Sequence, residues 1–165
     1  MPIPTPTVLI CSLKVDTPQL VKPSVYTTVR FPFGAAESSD THRMHQTAQP
    51  DGHQVTDWQK EDRAGLIWPA ADGWGVLTAM VQWEAGAYRE LADRFVRDPM
   101  DLSTGWDATA TDERPPSPGR QRFTKSWGVL VRQGTPLALQ VCHDDRVPRR
   151  LLLAEFKLAI HPEGA

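Results

Sequence analysis

Cys142, His143 and Asp144 set a thiol, an imidazole and a carboxylate side by side, the most reactive combination in the chain. A nucleophile needs its base within hydrogen-bond reach. The residues around them alternate like a strand, and successive strand side chains point to opposite faces, so Cys142 and His143 are not expected to meet. His42 and His45 stand three apart with His53 nearby, a spacing that can hold zinc, but their surroundings are polar and aperiodic and read as a loop. No metal and no cofactor is expected. Carboxylate pairs occur at Glu61-Asp62, Asp112-Glu113 and Asp144-Asp145, all in expected loops or strand ends, and none has a second pair with which to build a glycosidase or two-metal site. A phosphate-cradling glycine loop is missing, as is a serine between nucleophile-elbow glycines. With no catalytic residue to name, the chain reads as a structural or binding module and not as an enzyme.

Tryptophan is the other residue type with something to offer a ligand. Trp83 and Trp127 read as core, whereas Trp58 and Trp106 lie in polar loops, where an indole can stack on a sugar or anchor in a partner. The two cysteines, Cys11 and Cys142, are far apart and read as buried free thiols.

These residues must be carried by a single core, the usual outcome for 165 residues with 40% hydrophobic and 23% charged side chains. A net charge of -2 argues against nucleic acid as the main partner, because phosphate binding needs a concentrated positive field. No apolar stretch approaches the ~20 residues of a membrane helix, so no membrane partner is expected. Met1 to Pro6 has no basic segment followed by an apolar one, so no secretory signal is expected there.

Fifteen prolines and eleven glycines are spread along the chain and cut it into short elements. The alternating prolines Pro2, Pro4 and Pro6 favour an extended arm, a candidate partner-binding segment. Val8 to Val15 and Val25 to Phe33 alternate as strands, although Pro32 confines the second to an edge or a bend. Arm and first strand fall in residues 1–22, and the remaining domain in 23–165. Gly34 to Gly65 reads as a long excursion with a short strand near Val55 to Trp58, and Asp101 to Arg120 as a second long loop.

Trp74 to Trp83 is apolar on both faces, with Leu77, Ala79, Val81 and Trp83 on one and Trp74, Val76, Thr78 and Met80 on the other. One sandwich core satisfies only one face, so a neighbouring subunit is expected on the second, across Trp74, Val76, Thr78 and Met80. Tyr88 to Asp98 has helical spacing, closed by Pro99. Phe123 to Arg132, Leu137 to Cys142 and Leu151 to His161 are strands, the last with Leu152, Ala154, Phe156, Leu158 and Ile160 on one face. Roughly seven or eight strands with turns between them predict an all-β antiparallel sandwich of the jelly-roll kind, with an extended N-terminal arm and two long loops.

From Trp68 to Ile160 the chain resembles the trimeric jelly-roll superfamily of complement globular heads and tumour necrosis factor, which also supplies phage virion proteins. The matching segments are Leu66 to Trp83, Val131 to Val141 and Ala154 to Ile160: a turn with the central strand, a strand-turn-strand, and the final strand. The resemblance implies a three-fold homotrimer with the sheet of the first, central and last strands turned inward. It also implies a strand at Tyr88 to Asp98, where periodicity favours helix, and both readings stand at this stage. High Arg and Ala with few Lys suits an actinobacterial phage.

The expected role is a virion protein that assembles in the host cytoplasm, a homotrimeric capsid decoration or minor capsid protein bound to the major capsid protein on the head surface. The alternative is the receptor- or glycan-binding head of a tail fibre or minor tail protein, with a host surface glycan read by Trp58 and Trp106. A hydrolase of cell-wall sugar is a distant third.

Overall fold

The alternating segments at the two ends of the chain pair with each other. The computed structural model describes residues 7–34, 38–100 and 107–164. Strand β1 (Leu9–Val15) runs antiparallel to β9 (Arg149–Pro162), with Cys11 opposite Leu158 and Leu13 opposite Phe156. On its other side β9 pairs with β4 (Gly73–Trp83), and β4 pairs along its whole length with β7 (Gln121–Val131). The short β2 (Gln19–Val21) bonds to the first residues of β9. The first sheet thus runs β1-β9-β4-β7. The second is β3 (Thr27–Thr28), β8 (Leu137–His143), β5 (Leu91–Arg97) and β6 (Asp107–Arg114), in the order β3-β8-β5-β6. All pairings are antiparallel, and most connections cross between the sheets, the wrapping of a jelly-roll sandwich.

Between the sheets lie the side chains that alternation turns inward. Leu13, Leu77, Phe95, Leu139 and Phe156 are all buried. Phe156 sits between Phe31 and Phe95, with ring centroids 6.2 and 5.9 Å away. Trp83 caps one end, edge-on to Tyr88 and to His143.

Several expectations change in the structure. Tyr88 to Asp98, helical by spacing, contains β5, which is bonded to β6 on one side and β8 on the other. Its Leu91 and Phe95 are buried on one face and its Ala92 and Val96 on the opposite one, so a strand covered on both sides mimics helical periodicity. The second long loop is shortened by β6, a polar edge strand whose alternation carries too few apolar residues to show. The strand expected over Val25 to Phe33 shrinks to β3. Beyond it Val29 N–H still bonds the Leu139 carbonyl and Phe31 N–H that of Ala64, but Pro32 can donate nothing. No regular strand forms at Val55 to Trp58, where the pairing nearby is a single bridge between Ala48 and Gln54. In β9 a bulge opposite Gln82 and Trp83 shifts the register, so Leu151 and not Leu152 joins the buried face. Trp127 shares a face with Leu77 but remains 47% exposed, because β7 is the outermost strand of its sheet. The arm residues Pro2, Pro4 and Pro6, and Trp106, lie outside the described residues.

One polar cluster joins the sheets at their β7 side. Lys125 turns inward from β7, its Nζ 2.8 Å from Asp93 Oδ1 on β5, and it also donates to the Ala110 carbonyl. Arg114 reaches the other Asp93 oxygen at 3.1 Å. The side chains of Asp93 and Lys125 are both almost fully buried, so removing Lys125 leaves the buried Asp93 to Arg114 alone, and removing Asp93 leaves Lys125 only the more exposed Asp112, 3.1 Å away. Lys125→Met is expected to lose about 3 kcal/mol in urea unfolding. The double variant Lys125→Met with Asp93→Leu should recover part of that loss.

Candidate binding surfaces

The two sheets treat their outer faces differently. On the outside of the second sheet, Ala138 is covered by Leu66 and Trp68 from the chain that returns after the long excursion. Gly65 is required there, since any Cβ would collide with the Val29 carbonyl. Tyr26 lies under the Arg94 guanidinium, 3.7 Å from its ring centroid, elsewhere on that sheet.

The first sheet has an open apolar band at one end of its outer face. Register places Ile10, Ala159, Val76 and Gly128 in one row across the four strands, and His161, Trp74 and Leu130 in the next. Ile10 and Trp74 are each 49% exposed and Leu130 47%, so large apolar side chains stand in water side by side. The Trp74 ring lies on Gly128, where a Cβ would collide with it. Polar residues follow further along the strands, in a row of Ser12, Lys157, Thr78 and Ser126 and then one of Lys14, Glu155, Met80 and Thr124. Trp74, Val76, Thr78 and Met80 therefore share the outward face of β4; Trp74 and Thr78 are exposed, Val76 and Met80 half-buried.

The reactive groupings of the sequence do not assemble. His143 points into the core, where its Nε2 lies 2.8 Å from the Val21 carbonyl and its Nδ1 accepts the Asp145 N–H. Cys142 sits half-buried on the opposite face, and burial pushes its thiol up, as it does that of the buried Cys11. Asp144 accepts the backbone N–H groups of Arg89 and Glu90, at 2.8 and 2.9 Å. Burial alone would raise the Asp145 carboxyl, but Arg149 Nε at 2.6 Å and the N–H groups of Ala87 and Arg146 outweigh it and hold it below the usual range. Both carboxylates are staples between two loops. Among the described residues, no three His, Cys, Asp or Glu side chains converge as metal ligands. His42 is exposed, and His53 Nε2 lies 3.0 Å from Glu61 Oε1.

The 40–65 excursion is a folded piece with its own polar interior. Asp40 accepts the N–H groups of Met44 and His45, and Arg63 clamps Asp51 at 2.6 Å. Trp58, in this segment, is half-buried against the core and borders a cavity of about 250 Å3.

No protein-family description matches the chain, and no curated protein matches its sequence. Solved structures do. The Eiger tumour necrosis factor of S. frugiperda superposes with a TM-score of 0.63 at 11% identity, covering 96% of this chain and 95% of that one. The globular domain of the zebrafish complement 1qA protein gives 0.57 at 12% identity, over 91% and 94% of the two chains. Murine APRIL gives 0.51 at 11% identity, over 92% and 98%. The chain has the jelly-roll fold of these heads. At such identities the likeness establishes the fold and nothing further.

An imidazole and a carboxylate of the excursion contribute to its response to acid. His45 is buried and stacked on Phe33, with ring centroids 4.3 Å apart and its Nε2 donating to the Ala64 carbonyl at 2.7 Å. Burial lowers its pKa below 6.5, and the Ala64 carbonyl and Asp40 oppose that shift without cancelling it. The unfolded chain takes up this proton more readily than the folded one, so stability falls as the pH drops below 6.5. Glu61 is held at about 2 by the Asp57 N–H, by His53 and by Thr56, so its contribution is full above 4.5 and is lost as the pH falls toward 2. Calorimetric melting temperatures should fall in two separate stages on acidification, and His45→Gln should flatten only the upper one.

Proposed function

We propose that the chain forms a homotrimer whose copies turn the outer face of the first sheet, with Trp74, Val76, Thr78 and Met80, toward a common axis. The observation that carries this reading is the open apolar band of Ile10, Trp74 and Leu130 on one sheet, where the other sheet has Ala138 on its outer face covered by Leu66 and Trp68. Contiguous exposed apolar surface of this kind marks an interaction site. A closed ring of three buries it without leaving a free end. The jelly-roll fold supports the same arrangement.

Within that frame the trimer is a structural, non-enzymatic component of a phage virion, a capsid decoration or minor capsid protein seated on the major capsid protein through the proline-rich arm and the loops. Support comes from an arginine-rich, lysine-poor composition, with thirteen Arg to five Lys, and from the alternating prolines of residues 2–6. A second reading, the receptor- or glycan-binding head of a tail fibre or minor tail protein, is favoured by one observation, the cavity beside Trp58.

Sedimentation of the purified protein should give a trimer at micromolar concentration. Trp74→Glu should dissociate it while leaving the fold intact, at about 2 kcal/mol or more per contact. A wild-type monomer in dilute solution would sink the proposal. Deleting Met1 to Pro6 should lower occupancy on capsids, counted by electron microscopy of particles, and leave the trimer unchanged; full occupancy would remove the arm from the contact.

A further inference from the structure

We propose that the cavity beside Trp58 binds a neutral sugar residue, an inference that rests on the glycan-binding reading above and names its site. Three pieces of chain meet there: Thr17 and Leu20 around β2, Thr27 of β3, and Trp58 with Gln59 from the excursion. Trp58 packs on the core yet keeps part of its surface exposed at the cavity wall. Its indole N–H, the Gln59 carboxamide and the Thr17 hydroxyl have no partner among the described residues. Leu20, 66% exposed, extends the apolar side of the wall.

Charge decides the class of ligand. Arg30 also lines the cavity, but its guanidinium is already bonded to Asp62 Oδ1 at 2.8 and 3.1 Å and to the Gln59 carbonyl at 2.6 Å. An anionic ligand would find that cation already paired. What remains is a rigid indole, an open carboxamide and hydroxyls. A pyranose presents an apolar face of C–H groups suited to the indole and hydroxyls that both donate and accept toward the amide. The volume of about 250 Å3 lies below the ~300 Å3 at which pockets for drug-sized ligands begin, which fits one sugar unit and not an extended chain.

The test is a titration of the isotope-labelled full chain with glucose, galactose, mannose and N-acetylglucosamine, following the six tryptophan indole resonances. Trp58→Phe assigns the Trp58 signal. The expected result is a saturable shift of that signal with at least one of the four sugars at millimolar affinity. Trp58→Ala should abolish binding, and Gln59→Ala should weaken it about five-fold or more at unchanged melting temperature. Should Trp58→Ala unfold the protein, Gln59→Ala and Thr17→Val carry the result. No saturable shift with any sugar, or equal affinity in the Gln59 and Thr17 variants, would overturn the site. Binding of the same proteins to host envelope fragments separates this site from the broader reading. Envelope binding that survives both Trp58→Ala and Gln59→Ala leaves a receptor head without this site, whereas a sugar shift without envelope binding leaves the site without a receptor head.

Discussion

The structure depends on β4 being hydrogen-bonded along both edges at once. Its partners β9 and β7 come from the end and the later middle of the chain, so this one strand joins distant segments into a sheet. Because both edges are occupied, its faces alone are left to interact. The inner one, Leu77, Ala79, Val81 and Trp83, is buried by the opposite sheet. The outer one has no such cover, and the proposal of an assembly follows from that imbalance.

The second sheet shows that the chain can cover part of an outer face by itself. Leu66 and Trp68 fold back over Ala138, and Gly65 lets the backbone pass close to Val29. The excursion that accomplishes this is held by polar bonds of its own, with Glu61, Asp40 and the Asp51–Arg63 pair closing its turns. Its acidic and imidazole groups are thereby used for structure, and Trp58 of the same segment packs against the core beside a cavity. A ligand bound beside a loop organised in this way, as proposed, would cost little in ordering.

Functional groups that looked reactive as neighbours in sequence were separated by the sheet. The pleat sends His143 into the core and Cys142 outward, a separation that alternation alone predicts. Asp145 could not be anticipated so easily. Its partner Ala87 lies in a distant loop and Arg149 begins β9, and its role as a staple appears only when those segments are side by side.

Alternation was enough to read an all-β sandwich, the two-faced character of Trp74 to Trp83, and the strands at both ends, because period-two burial is a local property of each segment. It was not enough for β5, where burial on both faces erased the period, nor for β6, a polar edge strand with little apolar signal. Nor could local pattern tell that Trp127, facing the core by register, would sit half-exposed on the last strand of a sheet. The residues themselves determined which faces are apolar. Only the tertiary structure decided which of those faces the chain covers and which it leaves open, because cover is supplied by segments far away in sequence.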